Sequence, residues 1–158
     1  MLADRDVKKA KKHDAWRKRA DAAGAALQYL QTPGREIENL LTARMLALVV
    51  ARRLRVPTES DEALKTILER IGNGPSSMTS MGPFLKKAFA DDQQFEARVA
   101  AWTPEKTGCL SANVKLGFAR AYAEFIRSEP AETRDALIGS AALKLADELV
   151  AFIKRHNR

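Results

Sequence analysis

The chain of 158 residues has one cysteine, two histidines and no unbroken apolar run longer than Met45 to Ala51. A single cysteine cannot close a bridge within the chain, which excludes a disulfide-stapled secreted scaffold. The Met45–Ala51 run is far short of the roughly 20 residues a transmembrane helix needs, so no membrane span is expected. No apolar segment of signal-peptide type follows the basic N-terminus, and a cytoplasmic address is the expectation. Val, Ile, Thr and Tyr never cluster as a strand requires, whereas alanine occupies 27 positions, so helix is expected throughout. What remains, 46% apolar and 30% charged residues, is the composition of a globular protein with a real core.

Apolar spacing divides that helical chain into segments. Trp16, Ala20, Ala23, Leu27 and Leu30 recur at three- and four-residue intervals, predicting an amphipathic helix that stops at Thr32-Pro33-Gly34. A second helix is predicted from about Arg35 to Leu54. Its broad apolar face (Ile37, Leu40, Leu41, Met45, Leu48, Val49, widened by Leu46, Ala47 and Val50) suits the centre of a core. Thr58 or Ser60 caps a third helix with Leu64, Ile67, Leu68 and Ile71 inward, and Gly72 stops it. A fourth, with Pro83 in its first turn, buries Phe84, Leu85, Ala88 and Phe89; a fifth starts at Asp91-Asp92 and turns Phe95, Val99 and Trp102 inward. The sixth carries Leu110, Val114, Phe118, Ala121, Tyr122 and Phe125. A single last helix begins at Glu129-Pro130 with Ile138, Ala141, Ala142, Leu145, Leu149, Phe152 and Ile153 inward. The expected fold is a compact all-α bundle of about six to seven helices. Residues 1–15 form a basic N-terminal arm or helix extension, and 16–158 form one helical domain.

Acidic charge is scarce in one part of the chain only. Residues 1–55 hold 13 basic and 6 acidic side chains, whereas 56–158 hold 14 of each, so the whole net charge of +7 belongs to the first third. On a helix of ~100° per residue, Lys8, Lys12 and Arg19 lie nearly in line, with Lys11 and Lys18 about 60 to 80° to one side. Lys9 and Arg17 broaden this patch, and Arg44, Arg52, Arg53 and Arg55 make a second group on the second helix. Such arrays gain affinity for nucleic acid by releasing condensed counterions. The plainer alternative is a solvated face that keeps the protein dispersed. A basic helix lying on an anionic membrane is a third option, disfavoured because the apolar partners of the lysines are mostly alanine.

Between the third and fourth helices, Gly72-Asn73-Gly74 is followed by Pro75, Ser76, Ser77, Met78, Thr79 and Ser80. Hydroxyls and free amides at a helix N-terminus can hold phosphate, so Ser76, Ser77, Thr79 and Ser80 are candidate polar contacts. A glycine C-cap followed by a polar loop explains the same residues. Together with Val56-Pro57-Thr58, this stretch resembles the N-terminal DNA-binding domain of plasmid KfrA-type regulators. In that family a Pro-Thr start precedes a helix, a Gly-x-Gly-Ser turn and a helix ending in Leu and an aromatic residue. The resemblance implies DNA contact through this turn. It departs from the family in a Gly72–Leu85 spacing about two residues longer, in Pro83 interrupting the would-be recognition helix, and in lacking the long coiled coil that follows.

Residues that enzymes use are few. His13 and His156 have no Cys, Asp or second His at metal-ligand spacing, so no metal site is expected, and no cofactor motif occurs. Cys109, near the start of the sixth helix, is expected to be a buried structural thiol. Acidic pairs such as Asp61-Glu62 and Asp91-Asp92 suit helix first turns. The leading expectation is therefore a non-enzymatic nucleic-acid-binding accessory or regulatory protein. Its phosphate contacts are Lys8, Lys9, Lys11, Lys12, Arg17, Lys18 and Arg19, supported by Arg44, Arg52, Arg53 and Arg55. The alternative is an adaptor or inhibitor that binds an acidic protein partner, as a homodimer through the Trp16 helix in one version. A small helical enzyme ranks third.

Overall fold

The computed structural model describes residues 2–3, 10–24, 30–32, 36–57, 61–76, 78–104 and 109–156. It is an all-α bundle. Eight helices are described: α1 (Ala10–Ala22), α2 (Ala43–Leu54), α3 (Asp61–Ile71), α4 (Met81–Ala88), α5 (Glu96–Ala100), α6 (Ala112–Ser128), α7 (Ala131–Ile138) and α8 (Ser140–His156). One 3-10 turn, Ile37–Leu40, precedes α2. The extended pairing among the described residues is a two-residue parallel ladder, with Leu2 opposite Leu30 and Ala3 opposite Gln31.

The core is built on α2. Met45, Leu46, Ala47, Val49, Val50, Ala51 and Leu54 are all buried there, so apolar side chains leave this helix in nearly every direction. It has to be wrapped. Helices α3, α6 and α7 pack directly against it, α4 packs on α3, and α5 on α4. Ile67 and Ile71 of α3, Met81 and Leu85 of α4, Val99 of α5, and Val114, Phe118 and Ala121 of α6 complete the core. Trp102, just after α5, meets Phe118 edge to face, with ring centroids 5.8 Å apart.

Four predicted helices have different bounds, each for a local reason. The fifth, expected from Asp91-Asp92, is α5 at Glu96–Ala100, because Oδ1 of Asp92 accepts from the amides of Gln94 and Phe95 and holds a turn ahead of it. The Trp16 helix ends at Ala22 instead of running to Leu30. Gly24 adopts φ +60° just after the helix, and the Ala23 amide bonds the carbonyls of Arg19 and Ala20, a glycine C-terminal stop that alanine-rich flanks disguise. Leu27 lies outside the described residues, as do Thr58 and Ser60, the expected caps of α3. The segment from Arg35 to Leu54 breaks at Thr42, whose hydroxyl accepts from the Met45 amide (3.1 Å) and thereby starts α2 afresh. Ile37, expected inward, is consequently exposed. The last helix is two: Gly139, with φ +88°, separates α7 from α8. Of the α8 stripe only Leu145 is fully buried, while Ala141 and Ile153 face outward.

The breaks at Thr42 and Gly139 are one junction. The Thr42 hydroxyl also donates to the carbonyl of Leu137 (3.0 Å), tying the start of α2 to the end of α7. A Cβ on Gly139 would lie 2.8 Å from Cγ2 of Thr42. Gly139→Ala should therefore lower stability in urea unfolding through two separable effects, positive φ and steric overlap, together about 3 kcal/mol. Thr42→Ser removes the clashing methyl and keeps the hydroxyl. In that background the same glycine substitution should cost only the backbone share, about 1–2 kcal/mol.

Candidate phosphate-binding cleft

The C-terminal end of α2, α3 and α5 enclose a cleft of about 1040 Å³. Arg53 and Arg55 line it from α2 and its C-cap, Arg70 from the last turn of α3 and Arg98 from α5. Against these four arginines stands one carboxylate among the described lining residues, Asp92, leaving a formal charge of +3. Leu54, Ile67, Phe95 and Trp102 provide apolar walls.

Two of the arginines are held in place. The Arg98 Nη2 donates to the carbonyl of Leu54 at 2.8 Å, and its guanidinium lies 5.8 Å from the Phe95 ring centroid. Helix α2 ends there, so Arg98 satisfies one of its orphan carbonyls. The Arg70 Nε lies 3.1 Å from Oδ2 of Asp92, with the guanidinium 5.9 Å from the Phe89 ring. Oδ1 of Asp92 meanwhile accepts from the amides of Gln94 and Phe95 at 3.0 and 2.9 Å. Asp92 is thus the pin of the α4–α5 turn and the orienter of Arg70. Arg53 and Arg55 are more open. Arg53 lies across Gly117 of α6, where a Cβ would be 3.5 Å from Nη1, and Arg55 takes the left-handed conformation (φ 56°) that ends α2. Fixed guanidinium forks beside free ones suit bidentate recognition of phosphate or carboxylate oxygens.

Of the second basic group expected on α2, only Arg53 and Arg55 reach this cleft. Arg44 is exposed in the first turn of α2, and Arg52 is turned to Glu124 of α6, at 3.2 Å. Of the first group, Lys8 and Lys9 lie outside the described residues, Lys11 and Lys12 fall within α1, and Arg17, Lys18 and Arg19 are exposed on it. Arg70 and Arg98 were missed. They lie in the electroneutral part of the chain, where exposed Glu62, Glu69 and Glu96 cancel them in any count but point elsewhere.

The hydroxyl-rich turn has a structural occupation. Ser80 donates to Oε1 of Glu36 (3.0 Å), Asn39 donates to the carbonyls of Ser76 and Thr79, and the Ser76 and Thr79 hydroxyls bond each other. Ser77 lies outside the described residues. Glu36 and Asn39 form a reciprocal cap on the 3-10 turn, and Lys115 of α6 approaches both buried carboxylates, at 3.7 Å from Glu36 and 3.3 Å from Glu38. These groups stitch the 36–42 segment to the α3–α4 loop and to α6.

Beside that stitch lies a second hollow of about 670 Å³, an apolar groove between the 3-10 turn, α6 and α8. Tyr122 lines it, and burial pushes its phenol above the usual 10.0. His156 is exposed and lies 4.6 Å, centroid to centroid, from Phe152; Cys109 is half-buried ahead of α6. Among the described residues no three His, Cys, Asp or Glu side chains gather as a metal site would require. No described helix is long and apolar enough to cross a membrane. The chain matches no family model, no curated protein and no solved structure.

Asp92→Ala should destabilise the fold by about 2 kcal/mol, removing the acceptor of two amides and the partner of Arg70. Asp92→Asn keeps Oδ1 and should cost about half as much, a ranking that paired urea titrations will read. Tyr122 gives a pH test. Its raised folded pKa means that above pH 10 the unfolded chain loses the proton first, so stability holds below that pH and declines as pH rises toward the folded pKa. In a Tyr29→Phe background, phenolate absorbance should appear at higher pH in the folded chain than in urea.

Proposed function

We propose that this protein is a non-enzymatic nucleic-acid-binding accessory or regulatory protein that holds backbone phosphate in the arginine cleft. The observation that carries this reading is that Arg53, Arg55, Arg70 and Arg98, from three helices, all line one hollow in which Asp92 is the one carboxylate among the described lining residues. Four guanidiniums brought together from three helices concentrate positive potential where low-dielectric walls focus it. Phosphate oxygens match the planar donor fork of a guanidinium, which Arg53 and Arg55, both exposed, can offer beside the anchored Arg70 and Arg98. The exposed Arg17, Lys18 and Arg19 of α1, with Lys8, Lys9, Lys11 and Lys12 before them in sequence, supply further counterion-releasing contacts. Contacts of this kind position a nucleic acid without reading its sequence. The hydroxyls of Ser76, Thr79 and Ser80 leave the proposed contact set, since they bond one another and the 36–39 turn.

The test is anisotropy titration of labelled single-stranded DNA, RNA and duplex DNA at about 50 and about 200 mM salt. Wild type should bind with a steep salt dependence. Arg53→Gln combined with Arg55→Gln removes two exposed guanidiniums without touching the anchored pair. The slope of log affinity against log salt should fall by about 1.4 for single strands or about 1.8 for duplex. Absence of binding to all three at the lower salt overturns the proposal. Equal slopes for wild type and variant move the interface away from the cleft. If only an acidic protein competes for these arginines, the adaptor reading replaces this one.

A further inference from the structure

Helix α8 leaves apolar surface without a described cover. Val150 and Ile153 are 47% and 52% exposed, and Leu149 and Phe152 beside them are half-buried. The adjoining groove continues this surface with Ile37 and Leu116, 45% and 51% exposed on the 3-10 turn and α6. Ile153 shares the α8 face of Leu149 and Phe152, whereas Val150 lies about 100° round the helix from Leu149. Among the described residues α8 packs substantially only on α7, its neighbour across Gly139.

The pattern along α8 identifies what covers it. Ala142, Leu145, Leu149, Phe152 and His156 fall at the a and d positions of a heptad, and Ala146 and Ile153 at e. Glu148 and Arg155, both exposed, are the g residues. In an antiparallel helix pair a faces d and g faces g. If Leu149 of one helix meets Phe152 of the other, then Ala146 meets Ile153, Glu148 stands opposite Arg155, and His156 comes over Leu145, which its own chain already buries. Two-fold symmetry repeats each of these contacts, giving two Glu148–Arg155 pairs and an apolar Leu149–Phe152 centre that His156 bounds at each end. A parallel pair would set Glu148 against Ile153 and bring the basic ends, Lys154 and Arg155, side by side. The helix dipoles also oppose each other favourably only in the antiparallel arrangement.

We propose that the occupant of this face is a second copy of the chain, with the two α8 helices pairing antiparallel through Leu149 and Phe152 and locked in register by Glu148–Arg155 contacts across a two-fold axis. The seam lies on α8, not on the Trp16 helix, and stands independently of any nucleic-acid binding.

Sedimentation of the full chain over a concentration series tests this by charge exchange. Wild type should sediment as a monomer–dimer equilibrium. Glu148→Arg sets arginine against arginine twice, and Arg155→Glu sets glutamate against glutamate twice. Each should weaken dimerisation about tenfold or more, with far-ultraviolet circular dichroism of the dilute protein unchanged. Mixing the two variants restores both pairs in the heterodimer, and the double variant restores them in the homodimer, so each should return to wild-type association. A wild type that stays monomeric at every concentration overturns the proposal and leaves the groove to a different protein or an apolar ligand. Variants that dimerise as wild type does, or a mixture that fails to recover, overturn the antiparallel register.

Discussion

The rest of the fold depends on one helix having no polar side. With seven buried residues along α2, water must be excluded from it nearly all round, and α3, α6 and α7 are the elements that exclude it. At about 25 cal/mol per Å² of apolar area, covering such a helix outweighs the caps and ion pairs that decorate it. The polar residues α2 does carry are confined to its first turn and its C-terminal end, which is why the arginines emerge together there. The cleft is therefore a by-product of the core: α3 and α5 must reach past Leu54 to close it, and their own arginines arrive with them.

Periodicity revealed the elements that packing dominates. In α3, α4 and α6 the expected inward residues are buried or half-buried with one exception, Leu68, because a three-to-four spacing of large apolar residues has only one way to reach the core. It failed where a local polar contact competes with helix continuation. Thr42 is as compatible with a helix interior as with a cap until the Leu137 carbonyl is known to sit above its hydroxyl. Gly139 reads as one weak residue inside a long helix until Thr42 is found against it. Each break is explained by the other, across nearly a hundred residues of chain, and no window on either segment contains both.

Charge was legible in amount and not in arrangement. The +7 of the first third is real, yet the converging guanidiniums come equally from that third and from the balanced remainder. A count weights Arg70 and Glu69 alike, although one is held over Phe89 by Asp92 and the other faces solvent. What makes a site is correlation between elements that are distant in sequence. The Ser/Thr turn shows the converse: its hydroxyls suited an anion, but Ser80 donates to Glu36, Ser76 and Thr79 bond each other, and Asn39 fixes the turn through its carbonyls.

The two hollows differ in kind, and the difference follows from how each is walled. The cleft is bordered by elements that Asp92 and the Leu54 carbonyl tie together, and four arginines line it. The groove is bordered by α8, which hangs from α7 through a single glycine and offers aliphatic surface. Hydrophobic surface of that extent is unfavourable in water and is relieved by association, whereas charged surface is stable in water and gains only from an anion. Among the described residues the two hollows share no lining residue. A two-fold pairing on α8 would thus leave the arginine cleft open in each copy. One dimer would then carry two arginine clefts, and if these hold phosphate as proposed, a chain of phosphates engaged at one would meet the second at raised effective concentration.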